Sequence, residues 1–160
     1  MKYKFLDDLT SDVAFESYGK TFEELLENSA LAMFSVICDI KNVEPKESIK
    51  IDVSSASQES LLYDWLSKLL SQSEINNLFL SKFEVRLLAG DKPPRYTVDS
   101  QPLAKMVGTI NELPLHLSGV AYGEQISQEK SGTVVKGITY YRFSVKESKS
   151  GYKARVTFDI

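Results

Sequence analysis

The chain has 160 residues, of which 42% are hydrophobic and 26% charged. That is enough apolar material for one sizeable core, and too much charge for a chain made of membrane spans. The net charge of −3 leaves 19 Lys and Arg scattered among 22 acids, which speaks against binding nucleic acid through clustered phosphate contacts. The single cysteine, Cys38, excludes an intramolecular disulfide.

Met1-Lys2-Tyr3-Lys4-Phe5 runs directly into Asp7-Asp8 without the apolar core of a secretory leader. No apolar run approaches the length of a membrane span, so a soluble cytoplasmic protein is expected. Residues 3–6 read as a short first strand. In Asp12-Val13-Ala14-Phe15-Glu16, Val13 and Phe15 alternate with Ala14 and Glu16, the period of a half-buried strand that Gly19 ends. Thr21 and Glu24 then have the spacing of a capping box. Phe22, Leu25, Leu26, Ser29, Ala30, Met33, Val36 and Ile37 follow at helical spacing and predict a helix over 21–39 with one core face.

Ile49, Ile51 and Val53 alternate with Lys50 and Asp52, a strand with one wet face. After the serine-rich turn at 54–57, Leu61, Leu62, Trp65, Leu66, Leu69 and Leu70 predict a second helix over 58–71. Trp65, the only tryptophan, reads as a core anchor rather than a ligand platform. Phe83, Val85 and Leu87 alternate in the next strand. Residues 89–112, with Pro93-Pro94 and mixed polarity, offer little to a core and are expected to be the most mobile stretch. Leu113, Leu115, Leu117, Val120 and Tyr122 suggest another strand, then comes a polar loop from Gly123 to Gly132, and a long strand from Val134 to Lys146. A hairpin turn at 148–151 leads into a return strand to Ile160. This order predicts one α+β domain over 1–160: two helices packed on a largely antiparallel sheet.

Little in the chain carries chemistry by motif. Cys38 sits in the first helix pattern and reads as a buried, inert thiol. His116, the only histidine, lies in Leu-His-Leu on the outer face of a strand, with no partner for a nucleophilic triad. There is no phosphate-cradling loop, no CxxC and no Cys/His cluster for zinc. What remains is carboxylates and one lysine. Lys136 lies inside the most apolar strand, where a solvent-facing edge lysine is the plain reading. Asp12 and Asp159 read on their own as a strand-end cap and a terminal surface acid.

Several segments together resemble the archease family across nearly the whole chain. The family's opening His-Thr-Ala-Asp stands here as Leu9-Thr10-Ser11-Asp12, followed by Tyr18-Gly19-Lys20-Thr21-Phe22-Glu23-Glu24. Leu61-Leu62-Tyr63-Asp64-Trp65-Leu66 matches its second-helix motif, and Gly123-Glu124 a Gly-Glu after a strand. Lys136-Gly137-Ile138-Thr139-Tyr140-Tyr141 resembles Lys-Ala-x-Thr-Tyr-His, and Asp159-Ile160 the family's terminal Asp-Ile. Leu9 and Tyr141 stand where the family has histidines, and 89–112 is longer than the usual connection.

The resemblance implies an accessory protein of an RtcB-type RNA ligase in tRNA splicing, not itself a ligase. Such a protein promotes guanylylation of the ligase and its repeated turnover. It also implies a divalent-metal site made by Asp12, Asp159 and the terminal carboxylate of Ile160, with Asp12, Lys136 and Asp159 needed for activation. Three carboxylates brought together repel unless a cation neutralises them. An all-oxygen set suits a hard ion, calcium or else magnesium. Stable nucleic-acid binding and membrane association are not expected. A metal-dependent phosphoester hydrolase built on the same acids, and a general chaperone or protein-binding module, are the alternative readings.

Overall fold

The computed structural model describes residues 1–7, 12–88 and 114–160; the stretch 89–112 therefore lies outside the described residues. Among the described residues, seven strands and two long helices alternate early and then give way to strands. Their order is β1 (Tyr3–Leu6), β2 (Val13–Gly19), α1 (Phe22–Ile37), β3 (Glu47–Ser55), α2 (Gln58–Asn76), β4 (Leu78–Leu87), β5 (Leu115–Gln125), β6 (Gly137–Ser148) and β7 (Gly151–Asp159).

The strands form two antiparallel sheets rather than one. The larger has the order β1-β2-β7-β6 and the smaller β3-β5-β4. Strand alternation fixes which face of a strand is buried, but not which sheet it joins. The helices tie the sheets together. α1 packs on β2 and β7 of the larger sheet and on β4 of the smaller, while α2 packs on β6 of the larger and on β3, β4 and β5 of the smaller. One continuous core results, with Phe15, Phe34, Trp65, Leu66 and Phe158 fully enclosed. Trp65 Nε1 donates to the Leu26 carbonyl at 3.0 Å, which satisfies its one polar group inside the core.

Local chemistry sets the helix limits. The Thr21 hydroxyl accepts from the Glu24 amide at 3.1 Å, but Glu24 reaches back to the Lys20 amide at 2.8 Å, one residue before the expected partner. Ser57 and Ser60 close a reciprocal capping box at the start of α2. That helix passes its serine cluster and stops at Asn77, which takes the left-handed conformation (φ 57°) that asparagine tolerates. The Ser73 hydroxyl turns back to donate to the Leu78 carbonyl.

The C-terminal half differs from expectation in one respect. The last strand pair starts at Gly137, not Val134, so Val134–Lys136 belong to a strap that leaves β5 and crosses the end of α1. The amides of Gly132 and Thr133 donate to the Ile37 and Val36 carbonyls, both at 2.8 Å. The strap thus satisfies acceptors that the helix end leaves open. β6 and β7 then join through a two-residue turn, and Gly151 enters β7 at φ +129°, a conformation that L side chains rarely adopt.

Candidate functional site

Register brings the two ends of the chain together. In the larger sheet β2 and β6 flank β7 on either side. Val13 pairs with Phe158, and Gly137 pairs with Asp159. Asp12 sits at a bend just before β2 and Asp159 closes β7, so each lies one residue from the Val13–Phe158 pair. Phe158 is buried while Asp159 is exposed and Asp12 half-exposed. Ile160 follows, partly exposed, carrying the terminal carboxylate.

Lys136 reaches the same corner through its backbone. Its amide donates to the Asp159 carbonyl at 2.7 Å. Its exposed side chain lines a cavity of about 260 Å³ with Tyr63, Ser67, Leu70, Ser71 and Glu74 of α2. The three elements that carry Asp12, Lys136 and Asp159 are therefore neighbours, while the lysine side chain borders a pocket against α2. Among the described residues no three His, Cys, Asp or Glu side chains cluster as metal ligands. The candidate donor set is two aspartates and a chain terminus, all oxygen and all anionic. That set fits a hard divalent cation and has no nitrogen or sulfur to favour a softer one.

A buried ion pair anchors the strap that delivers Lys136. Glu124, almost fully buried, accepts from Lys130 Nζ at 2.6 Å and from the Glu44 amide at 3.2 Å, with Lys46 Nζ 3.8 Å away. The Lys130 hydrogen bond holds the Glu124 carboxyl below the usual carboxylate range, against the opposing effect of desolvation. Gly123 beside it is required by close approach: a Cβ there would lie 1.7 Å from the Phe79 carbonyl oxygen.

The Archease protein family matches residues 3–160. The chain belongs to the archease family. Protein archease of Methanosarcina barkeri is 33% identical over 159 residues, covering 99% of this chain and 96% of that protein. Protein archease of Methanothermobacter thermautotrophicus is 33% identical over 154 residues, covering 96% and 95%. The solution structure of Methanobacterium thermoautotrophicum protein 1598 superposes with a TM-score of 0.77 at 33% identity, covering 99% of this chain and 98% of that one. An archease from Thermotoga maritima, described as a possible chaperone, superposes at 0.57 with 15% identity, covering 97% and 95%, and shares the fold.

The archease motifs have separable tasks in this structure. Leu61, Leu62, Trp65 and Leu66 are core residues, whereas Tyr63 and Asp64 of the same motif face outward. Asp64 accepts from the Ser55 hydroxyl at 2.5 Å and Tyr63 donates to the Ile138 carbonyl at 3.0 Å, so both tie α2 to strands. Gly123-Glu124 builds the strap anchor. Leu9 lies outside the described residues. Tyr141, at a family histidine position, is exposed and donates its amide to Thr139 Oγ1 at 2.9 Å.

Two features escaped the sequence. The Glu124–Lys130 pair gives no signal beyond the Gly-Glu motif. An aromatic cluster of Tyr63, Tyr140 and Phe143 joins residues from α2 and β6 that no spacing rule connects. The other single-copy residues are structural. Cys38 is buried, and burial first, then Asp39 and Glu124, pushes its thiol up to about 12. His116 Nδ1 lies 2.5 Å from Ser54 Oγ across β3 and β5. A depression of about 870 Å³ opens at the far end of the larger sheet among Tyr18, Lys20, Glu24, Lys146 and Lys153, away from Asp12 and Asp159.

Proposed function

We propose that this chain is an accessory protein, not itself an enzyme, that activates an RtcB-type RNA ligase in tRNA splicing. It promotes guanylylation of the ligase and repeated turnover through the acidic end of its larger sheet. Family membership and the Val13–Phe158 pairing, which brings Asp12 and Asp159 to the same strand ends, support this reading. Asp12, Asp159 and the Ile160 carboxylate would hold a divalent cation, calcium or else magnesium. Such an ion would neutralise the cluster and offer a positive centre to phosphate oxygens. Lys136, exposed beside them, adds a second cation for a phosphate or for the partner. The description of the Thermotoga relative as a possible chaperone favours a second reading, a general protein-binding module.

The test is ligase guanylylation with and without this chain, beside calorimetric titration of calcium and magnesium. Asp12→Asn keeps shape and removes one charge, so it is expected to weaken divalent binding and abolish activation. Asp159→Asn and residues appended after Ile160 are expected to act alike. Lys136→Ala is expected to impair activation with less effect on metal binding. Full activation by both Asp12→Asn and Asp159→Asn overturns the mechanism. General suppression of aggregation by the chain, without an effect on the ligase, favours the chaperone reading.

A further inference from the structure

β6 does not run straight past β7. Thr139 pairs with Thr157 and Ser144 with Arg155, so Tyr140–Phe143 face Val156 alone. Bulges of this kind re-aim side chains. Arg142 takes φ +53°, a left-handed conformation that strains a residue with a Cβ. What the bulge presents is aromatic. Tyr140 stays 62% exposed and Tyr141 51% exposed, far more than the other tyrosine of the cluster, Tyr63.

These rings are exposed but already fixed. Tyr140 stacks on Tyr63 at 4.0 Å and 5°, and Phe143 closes on both edge-to-face at 5.7 and 5.8 Å. Tyr63 is itself held by its bond to the Ile138 carbonyl. The Arg142 guanidinium lies 5.2 Å from the centre of the Tyr141 ring. The Thr157 hydroxyl donates to the Tyr141 carbonyl at 3.2 Å, so the bulge is pinned to β7 two residues before Asp159. Large rings held in place before contact lose little entropy on binding, which is why tyrosine and arginine dominate interface hot spots.

The surroundings are acidic. Glu59 accepts from the Val145 amide and Asp64 lies near enough to act on the Tyr140 hydroxyl; Glu74 shares the Lys136 cavity. Asp12, Asp159 and the terminal carboxylate lie at the adjoining strand ends. Against these stand Lys136, Arg142 and Arg155, the last opposite Ser144 at the end of the bulge. A polyanion meets net repulsion here, whereas a basic protein face finds complementary charge around an apolar anchor.

We propose that Tyr140 and Tyr141, presented by the β6 bulge, are the anchor by which this chain docks on a basic face of the RNA ligase. This rests on the function proposed above and adds the contact surface to it. The acidic strand ends adjoin the start of β6, where Gly137 pairs with Asp159 three residues before Tyr140. The anchor supplies affinity, and the strand ends supply the chemistry.

The experiment measures the affinity of the full chain for a purified RtcB-type ligase of the same cell, with calcium titration and thermal melting alongside. Tyr140→Ala and Tyr141→Ala are expected to weaken ligase binding by about tenfold or more, with calcium binding unchanged. Tyr140→Phe, which keeps the ring, is expected to bind within about twofold of the unsubstituted chain. Affinity is expected to fall as salt rises. Tyr141→Ala removes a half-exposed ring and keeps the test sound if Tyr140→Ala perturbs folding. Unchanged affinity in both alanine variants overturns the docking surface and leaves the proposed function standing. No binding by the unsubstituted chain overturns the proposed function and, with it, this occupant. Direct binding of a single-stranded oligonucleotide that Tyr140→Ala abolishes overturns the protein partner in favour of nucleic acid.

Discussion

Cys38 is the residue whose environment departs most plainly from its ordinary chemistry. It caps the C-terminal end of α1, its thiol donates to the Phe34 carbonyl at 3.2 Å, and its pKa is pushed from 9.0 to about 12. In the unfolded chain the thiol ionises near its ordinary value; in the folded chain it keeps its proton. The folded state therefore binds more protons above pH 9, and stability falls as pH rises. Cys38→Ala is expected to flatten this alkaline slope, read from denaturation midpoints between pH 8 and 10. At neutral pH the native thiol is expected to resist alkylation that the unfolded chain accepts readily. Rapid native alkylation would show that the thiol is not buried. Reading a lone cysteine on a helix as inert was sound because a hydrophobic stripe already predicts burial.

At the scale of elements, the side of β4 away from β5 shows how α1 protects a sheet. Glu27 accepts from the Val85 amide and Glu23 from the Leu87 amide, both at 2.9 Å. Side chains four apart on a helix rise about 6 Å. Alternate amides of a strand are about 6.6–6.8 Å apart, so the two ladders match. Unpaired strand edges invite pairing with another chain, and these carboxylates fill alternate donors. The joint substitution Glu23→Ala with Glu27→Ala is expected to increase self-association, measured by sedimentation against a single Glu24→Ala control.

Burial raises the Glu27 carboxyl above its usual range, opposed by the Val85 hydrogen bond. A raised carboxyl binds more protons when folded, so stability falls as pH rises from its unfolded pKa through its folded one. Glu27→Gln keeps an acceptor without the buried charge. It is expected to leave neutral stability unchanged or higher and to flatten this acidic part of the profile, measured by denaturation from pH 4 to 7. A loss of neutral stability would mean that the negative charge itself holds the edge.

For the whole molecule, the two helices are what makes two sheets one body. Their shared core includes Leu66, which is fully enclosed and comes from the helix that touches both sheets. Leu66→Ala is expected to cost about 2–5 kcal/mol, the range for truncating a core leucine, read as a shift of the denaturation midpoint. A change within error would place this face of α2 outside the core. Trp65, packed edge-to-face with Phe83 and 0% exposed, reports the same transition by fluorescence.

Local rules read the helices, their apolar faces, the strand alternation and the hairpin from sequence, because each is written within a few neighbouring residues. Thr21, Ser57, Trp65 and Gly151 took the roles their neighbours dictate. The start of β6 at Gly137 is not legible in the run from Val134, because an apolar run cannot tell a paired strand from a strap that caps another helix. The division into two sheets was illegible, since pairing between strands far apart in sequence leaves no mark on either alone. The same reason governs the site. Asp12 and Asp159 are unremarkable acids by spacing, and only resemblance at both ends of the chain linked them. Tertiary register brought Asp12 and Asp159 to the same end of the sheet, set the Lys136 amide on the Asp159 carbonyl, and stacked Tyr140 on Tyr63. Sequence determined which residues were available; the pairing of β2 and β6 on either side of β7 decided which of them meet.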